Sequence, residues 1–148
     1  MDIRTDHGPS WVKLTPEQSE INWDLLEPMI ETGLRRTDGE LLPEDVRMML
    51  SNGLMQAFVV YEGKAIHALC VTQVLAELHF RVCRVVILTG ANMDDWSHFE
   101  YAVENWAKAM NCDYIDAFTR PGMVRKALPL GYYPKYQLIR KYVTKEIH

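Results

Sequence analysis

Residues 80–118, FRVCRVVILTGANMDDWSHFEYAVENWAKAMNCDYIDAF, carry the reading that decides the fold. Two apolar runs flank one long amphipathic segment. Phe80, Val82, Val85, Val86 and Ile87 mark the first run, and Tyr114, Ile115, Ala117 and Phe118 the second. Between them Met93, Trp96, Phe99, Val103, Trp106, Ala107 and Met110 recur at spacings of three and four, while Asp94, Asp95, Glu100, Glu104 and Lys108 fall elsewhere around the cylinder. That period predicts an amphipathic helix, and Asn111 suits a left-handed stop at its end. Strand, helix and strand in succession predict two parallel strands joined by a right-handed crossover.

Working upstream, residues 56–61 and 65–75 are two more apolar runs, separated by the tight turn Glu62-Gly63-Lys64. With residues 80–88 they have hairpin spacing and predict a three-stranded antiparallel meander. Pro43-Glu44-Asp45 opens a helix with Val46, Met49 and Leu50 on one face and Asn52-Gly53 as its stop. Thr15-Pro16-Glu17-Gln18 has the form of a capping box, with proline at the first helical position. Pro28 is expected in an opening turn or a kink, which divides residues 15–34 into two short helical pieces. Trp11 to Leu14 alternates as a short strand, residues 1–10 read as a loose arm, and residues 35–39 as a polar break. Downstream, a short helix over 123–128 and a last strand over 136–143 are expected. The fold class is α+β: a mixed sheet, antiparallel meander plus parallel β-α-β crossover, flanked by helices.

The chain has 148 residues, which predicts one domain, residues 1–148. Sixteen Lys and Arg against 20 Asp and Glu give a net charge of −4. Without a dense basic run the chain lacks the footprint of phosphate-backbone binding, so no nucleic-acid partner is expected. No uncharged stretch, 65–76 included, is long enough to span a bilayer, and no apolar segment follows Met1, so neither a membrane role nor a secretory signal is expected. Cys70, Cys83 and Cys112 form an odd, sparse set, read as free thiols in a reducing, cytoplasmic compartment.

A more specific pattern runs through the second half: Trp96, Glu104-x-Trp106-Ala107, Asn111-Cys112-Asp113, Arg120-Pro121-Gly122-x-x-Arg125 and Leu128-x-x-Gly131-Tyr132. Together with the element order, this set resembles the GNAT acetyltransferase superfamily, and within it the small GNAT-like proteins of phage and prophage genomes. The resemblance is strongest over 43–143. It implies transfer of an acetyl group from acetyl-CoA to an amine, in the host cytoplasm or the virion if the chain is phage-encoded. It also implies a cofactor arm lying between two splayed parallel strands, with its pyrophosphate at the N-terminus of the helix that follows, where unpaired N–H groups favour anions.

The resemblance places cofactor binding on Leu88, Thr89, Gly90, Ala91 and Asn92, with Arg120 and Arg125 as further anion-binding candidates. This loop keeps Gly90 and Ala91 but has no arginine or glutamine in register and no second glycine, and Asp94 and Asp95 would repel a pyrophosphate. The family's thiolate-protonating tyrosine would fall at Ala127, which has no proton to give, so Tyr133 or Tyr136 becomes the candidate acid. Glu77, with His79 and His67 beside it as alternatives, is the candidate base. His67 and Cys70, three apart on a strand, face opposite ways, and His67 lies far from His79 if the two strands pair as a hairpin, so neither His67-x-x-Cys70 nor His79-x-x-x-Cys83 suits a four-ligand metal site; no metal is expected. The rival class is a catalytically inactive protein-interaction module on the same scaffold, binding a host or virion component through an aromatic and methionine surface that includes Trp11, Trp23, Met48, Met49 and Met55. Nothing in the pattern sets an oligomeric state.

Overall fold

Thr15 opens the first helix with the reciprocal bonds of a capping box. Its hydroxyl accepts from the Gln18 amide at 3.1 Å, and Gln18 Oε1 accepts from the Thr15 amide at 2.8 Å, so two otherwise unpaired donors are satisfied. The structure, a computed structural model, describes residues 11–35, 40–90, 96–119 and 121–144. The expected N-terminal arm and most of the polar break at 35–39 lie outside the described residues. The chain divides into two compact units, Met1–Phe118 and Thr119–His148.

In the first unit the order is β1 (Val12–Lys13), α1 (Pro16–Ile21), α2 (Trp23–Leu34), α3 (Pro43–Ser51), β2 (Met55–Glu62), β3 (Ala65–Ala76), β4 (Arg81–Gly90), α4 (Trp96–Ala109) and β5 (Tyr114–Ala117). The strands form one sheet in that same order. β1 to β4 are antiparallel, and β5 joins β4 in parallel after the α4 crossover. The meander and the strand–helix–strand unit are therefore the elements of the mixed sheet read from the sequence.

The helical entry differs from the expectation in one respect. Two pieces form, but Asn22 divides them and not Pro28: the Asn22 amide and its side-chain Nδ2 both donate to the Gln18 carbonyl, the latter at 2.7 Å. Pro28 stays inside α2, where it removes one helical hydrogen bond. The buried stripe Trp23, Leu26, Ile30 and Leu34 outweighs that loss.

Two apolar layers hold the sheet. On one face Leu26, Ile30, Val46 and Leu50 from α2 and α3 pack with Leu69 and Ile87 of the strands. On the other, Phe58, Cys70 and Cys83 meet Val103 and Ala107 of α4. Gly33 brings α2 close to β4: a β-carbon there would stand 2.5 Å from Cγ2 of Ile87. Asn111 ends α4 with φ 57°, and the Cys112 amide returns to the Ala107 carbonyl at 2.8 Å.

The second unit contains α5 (Pro121–Ala127) and a 3-10 turn (Leu128–Leu130) closed by Gly131 at φ 94°. The last strand expected over 136–143 does not form; the segment is irregular, with Tyr136, Leu138, Ile139, Tyr142 and Val143 exposed. Its alternating side chains meet one requirement of a strand. The other is a neighbour to share a ladder, and among the described residues none pairs with it.

Candidate functional site

The feature that distinguishes this sheet is where β4 and β5 stop pairing. Their register runs Val82↔Tyr114, Cys83↔Ile115, Arg84↔Asp116 and Val85↔Ala117, and there it ends. β4 continues through residues 86–90, bonded to β3 on one side only. At about 3.3 Å per residue, roughly 16 Å of strand edge is left without a described strand beside it. Alternate N–H and C=O groups along that edge are available to an extended ligand, as at any open sheet edge.

A bulge accounts for the parting. Across β3, Val71 pairs with Ile87 but Thr72 pairs with Val85, so Val86 is an extra residue with no partner. Such an insertion bends its strand and increases the local twist. It falls on the residue immediately after the last β5 pair. Beyond it Leu88 is half-buried against the α4-side core, while Val86 packs toward α2.

The end of the edge is held tightly. Gly90 has φ 141° and lies opposite Ala68 in the ladder. His67, next to Ala68, places Nδ1 2.8 Å from the Glu62 carboxylate. At the vertex of the opening, Arg84 grips Asp116 through Nε to Oδ1 at 2.8 Å and a second nitrogen to Oδ2 at 3.0 Å. The Arg84 guanidinium carbon also lies 4.9 Å from the centre of the Phe118 ring. Hydrogen bonding to Asp116 raises the Arg84 pKa further, against a smaller opposing effect of burial, so its charge is constant across physiological pH.

Of the residues singled out from sequence, Leu88, Thr89 and Gly90 line the open edge of β4. Ala91, Asn92 and Arg120, together with Asp94 and Asp95, lie outside the described residues. Glu77 is exposed in the β3–β4 turn, its amide donating to the Phe80 carbonyl at 2.8 Å. That turn adjoins the start of β4, about 30 Å along the strand from Gly90, so the structure does not bring Glu77 to the open edge. His79 shares the turn. Tyr133 and Tyr136 are exposed in the second unit, and Arg125 is exposed in the last turn of α5. Arg84, Asp116, Phe118 and the bulge at Val86 were not singled out. The available signal was Asp116, the single charge in its apolar run, and Arg84, which with Arg81 interrupts the other.

Other groups are committed elsewhere. Burial raises the Cys70 thiol and pushes Cys83 up to about 12, which makes both poor nucleophiles. Among the described residues no three His, Cys, Asp or Glu side chains converge as a metal site. A cavity of about 110 Å³ beside β1 and β2 is lined by Lys13, Ser19, Gln56, Trp106 and Met110 among others. Lys13 Nζ stands there 4.5 Å from the Trp106 ring centre, and burial lowers its pKa. Sheet order places this cavity two strands from β4, and it is too small for a cofactor arm. Trp23 is a core residue at 5 % exposure, Met55 is buried, and Trp11 and Met49 are half-buried against the core, so of the five residues expected on an interaction surface only Met48 stands exposed. No described helix is long and apolar enough to cross a membrane.

No protein-family model matches the sequence, and neither does any curated protein. Solved structures do match in three dimensions. A predicted acetyltransferase from Clostridium acetobutylicum, solved with acetyl-CoA, superposes with a TM-score of 0.70 at 10% identity, covering 95% of this chain and 100% of its own. An aminoglycoside acetyltransferase from an uncultured soil metagenomic sample, solved with sisomicin, gives 0.69 at 12% identity over 97% and 100% of the two chains. An aminoglycoside N-acetyltransferase in complex with CoA gives 0.68 at 10% identity over 96% and 99%. The fold is that of the GNAT acetyltransferases.

Proposed function

We propose that this protein is a GNAT-type N-acetyltransferase that moves an acetyl group from acetyl-CoA to a primary amine. The observation that carries the reading is the separation of β4 from β5 after Val85 and Ala117, directly at the Val86 bulge. An extended pantetheine arm has the length and the alternating amide groups to bond along residues 86–90 as a missing strand would. Leu88, Thr89 and Gly90 supply that edge through their backbone, and the residues after Gly90 receive the pyrophosphate.

Acetyl-CoA supplies an activated thioester. The chain's own part is to hold the arm in line, to exclude water on the side covered by α4, and to supply a proton. In this proposal Tyr133 or Tyr136 donates its phenolic proton to the departing thiolate, a suitable match of acid to leaving group. Glu77 has no part in it, because of its distance from the open edge. The attacking amine arrives neutral and loses its proton to solvent. A net charge of −4 favours cationic acceptors at long range. Polyamines and aminoglycosides are therefore the first acceptors to test, the latter because two structural neighbours are aminoglycoside acetyltransferases.

The sequence features of the cofactor loop add a finer element: Asp94 and Asp95 weaken acetyl-CoA binding, as expected of a divergent phage-encoded member. No observation favours the interaction-module reading. The deciding experiment is thermal unfolding with and without acetyl-CoA. A ligand at 100 times its Kd that binds only the folded state adds about 2.7 kcal/mol of stability and a clear rise in Tm. No rise at millimolar acetyl-CoA overturns the proposal; a rise followed by amine-dependent release of CoA establishes the activity.

A further inference from the structure

Arg84 and Asp116 are direct register partners across the parallel pair, one position before β4 and β5 separate. Both project from the face opposite α4, since their chain neighbours Cys83 and Ile115 belong to the α4-side core. The contact is bidentate, at 2.8 and 3.0 Å, a geometry only arginine's planar fork provides. Phe118, the first residue beyond β5 and 72% exposed, lies with its ring centre 4.9 Å from the same guanidinium carbon.

The position matters because β5 is only four residues long and stands at the edge of the sheet. Short edge strands open first in native-state fluctuations, from the end with fewest contacts. Here that end is Ala117, next to the opening. On the α4 side Ile115 anchors the strand; on the other face, among the described residues, the arginine–aspartate contact and the ring beside it are the side-chain contacts that tie β5 to β4 next to the vertex. If that contact were lost, the ladder would unzip toward Tyr114 and the mouth would lengthen and widen.

We infer that Arg84, Asp116 and Phe118 form a positioning clasp that fixes where β4 and β5 diverge, and so the width of the cleft offered to the acyl-CoA arm. The inference rests on the acyl-CoA reading above for its ligand, but not for its structural half. The three residues act through strand geometry and not on the reacting atoms.

The test uses the full chain with Arg84→Lys, Asp116→Asn, their combination, the charge-swapped pair Arg84→Asp with Asp116→Arg, and Phe118→Ala as a surface change that spares the fold. Amide hydrogen exchange at 115–118 is followed without ligand, and acetyl-CoA affinity by calorimetry. Each of the two charge-site single changes speeds exchange at 117 and 118 and weakens affinity by about fivefold, the discount a partly exposed pair requires. Phe118→Ala gives a smaller effect in the same direction. The combined variant is no worse than either single change, and the swap recovers most of the loss, because the two charged sites act as one unit. Wild-type exchange and affinity in folded variants would overturn the clasp. So would faster exchange with unchanged affinity, or strictly additive losses that the swap does not repair. If the wild-type chain binds no acetyl-CoA, the proposed function fails by itself, and the exchange measurements still decide whether the clasp holds β5.

Discussion

A β-carbon on Gly90 would stand 2.6 Å from the Cα of Ala68 and 2.7 Å from both the Ala68 Cβ and the His67 carbonyl oxygen. All three contacts are with β3, the neighbour that stays bonded to β4 where β5 has left it. The last residue of the open edge is thus pressed against its remaining partner, at a φ of 141° that side chains rarely adopt.

Gly90→Ala therefore meets both a clash and backbone strain, and is expected to destabilise the fold by about 2 kcal/mol. Urea unfolding measures it directly. Because the change displaces the end of the open edge, acetyl-CoA affinity should fall as well; a neutral Gly90→Ala variant would mean that this approach is looser than described.

Gln56 is a buried hub. Its Oε1 accepts from the Thr72 hydroxyl at 2.9 Å and from Trp106 Nε1 at 3.3 Å, while its Nε2 donates to the Gly53 carbonyl at 3.3 Å. Gln56→Leu keeps the bulk but removes the acceptor shared by the fully buried Thr72 hydroxyl and Trp106 Nε1, at a cost of about 2 kcal/mol. Adding Thr72→Val to that variant removes one of the two donors left without that acceptor and should restore part of the loss, a recovery that a double-mutant comparison of urea midpoints would show.

The core thiols make stability depend on alkaline pH. Burial pushes Cys83 up to about 12 from an ordinary value near 9, with Cys112 and Asp116 adding to the shift and Thr72 opposing it. The native state keeps a proton that the unfolded chain gives up, so stability is unaffected below pH 9 and falls as pH rises from about 9 toward about 12. Cys83→Ala should flatten this decline; an identical slope in both proteins would contradict it. In the native protein at pH 8, iodoacetamide should modify half-buried Cys112 before the buried pair.

Asp94 and Asp95 provide a functional test of the cofactor loop. Carboxylates close to the proposed pyrophosphate position would oppose a bound anion. Asp94→Ala with Asp95→Ala should tighten acetyl-CoA binding about threefold and make it less sensitive to salt. Unchanged or weaker binding would remove these two residues from the pyrophosphate's surroundings.

Much of this architecture was legible in the linear order because it depends on local physics. The capping box at Thr15 and Gln18, the left-handed stop at Asn111 and the stripe Val103, Trp106, Ala107 each follow from residues three or four apart. The meander was equally readable, since turn residues separate its apolar runs. Pro28 misled because an intrinsic helix-breaking preference of one residue was outweighed by the burial of Trp23, Leu26 and Ile30 along the same helix. Residues 136–143 misled for the opposite reason: their pattern suits a strand, but a strand needs a partner.

The amino-acid order by itself determined most of the helices and strands of residues 11–118, which side of each becomes apolar, and that the chain carries an α+β mixed sheet, because those outcomes arise from side-chain periodicity and short-range capping. Only the tertiary structure decided that β5 leaves β4 after Val85, that Val86 bulges there, and that Arg84 meets Asp116 at the vertex. Those facts concern residues about fifteen to thirty positions apart, brought together by strand register, and register is set by the packing of whole layers.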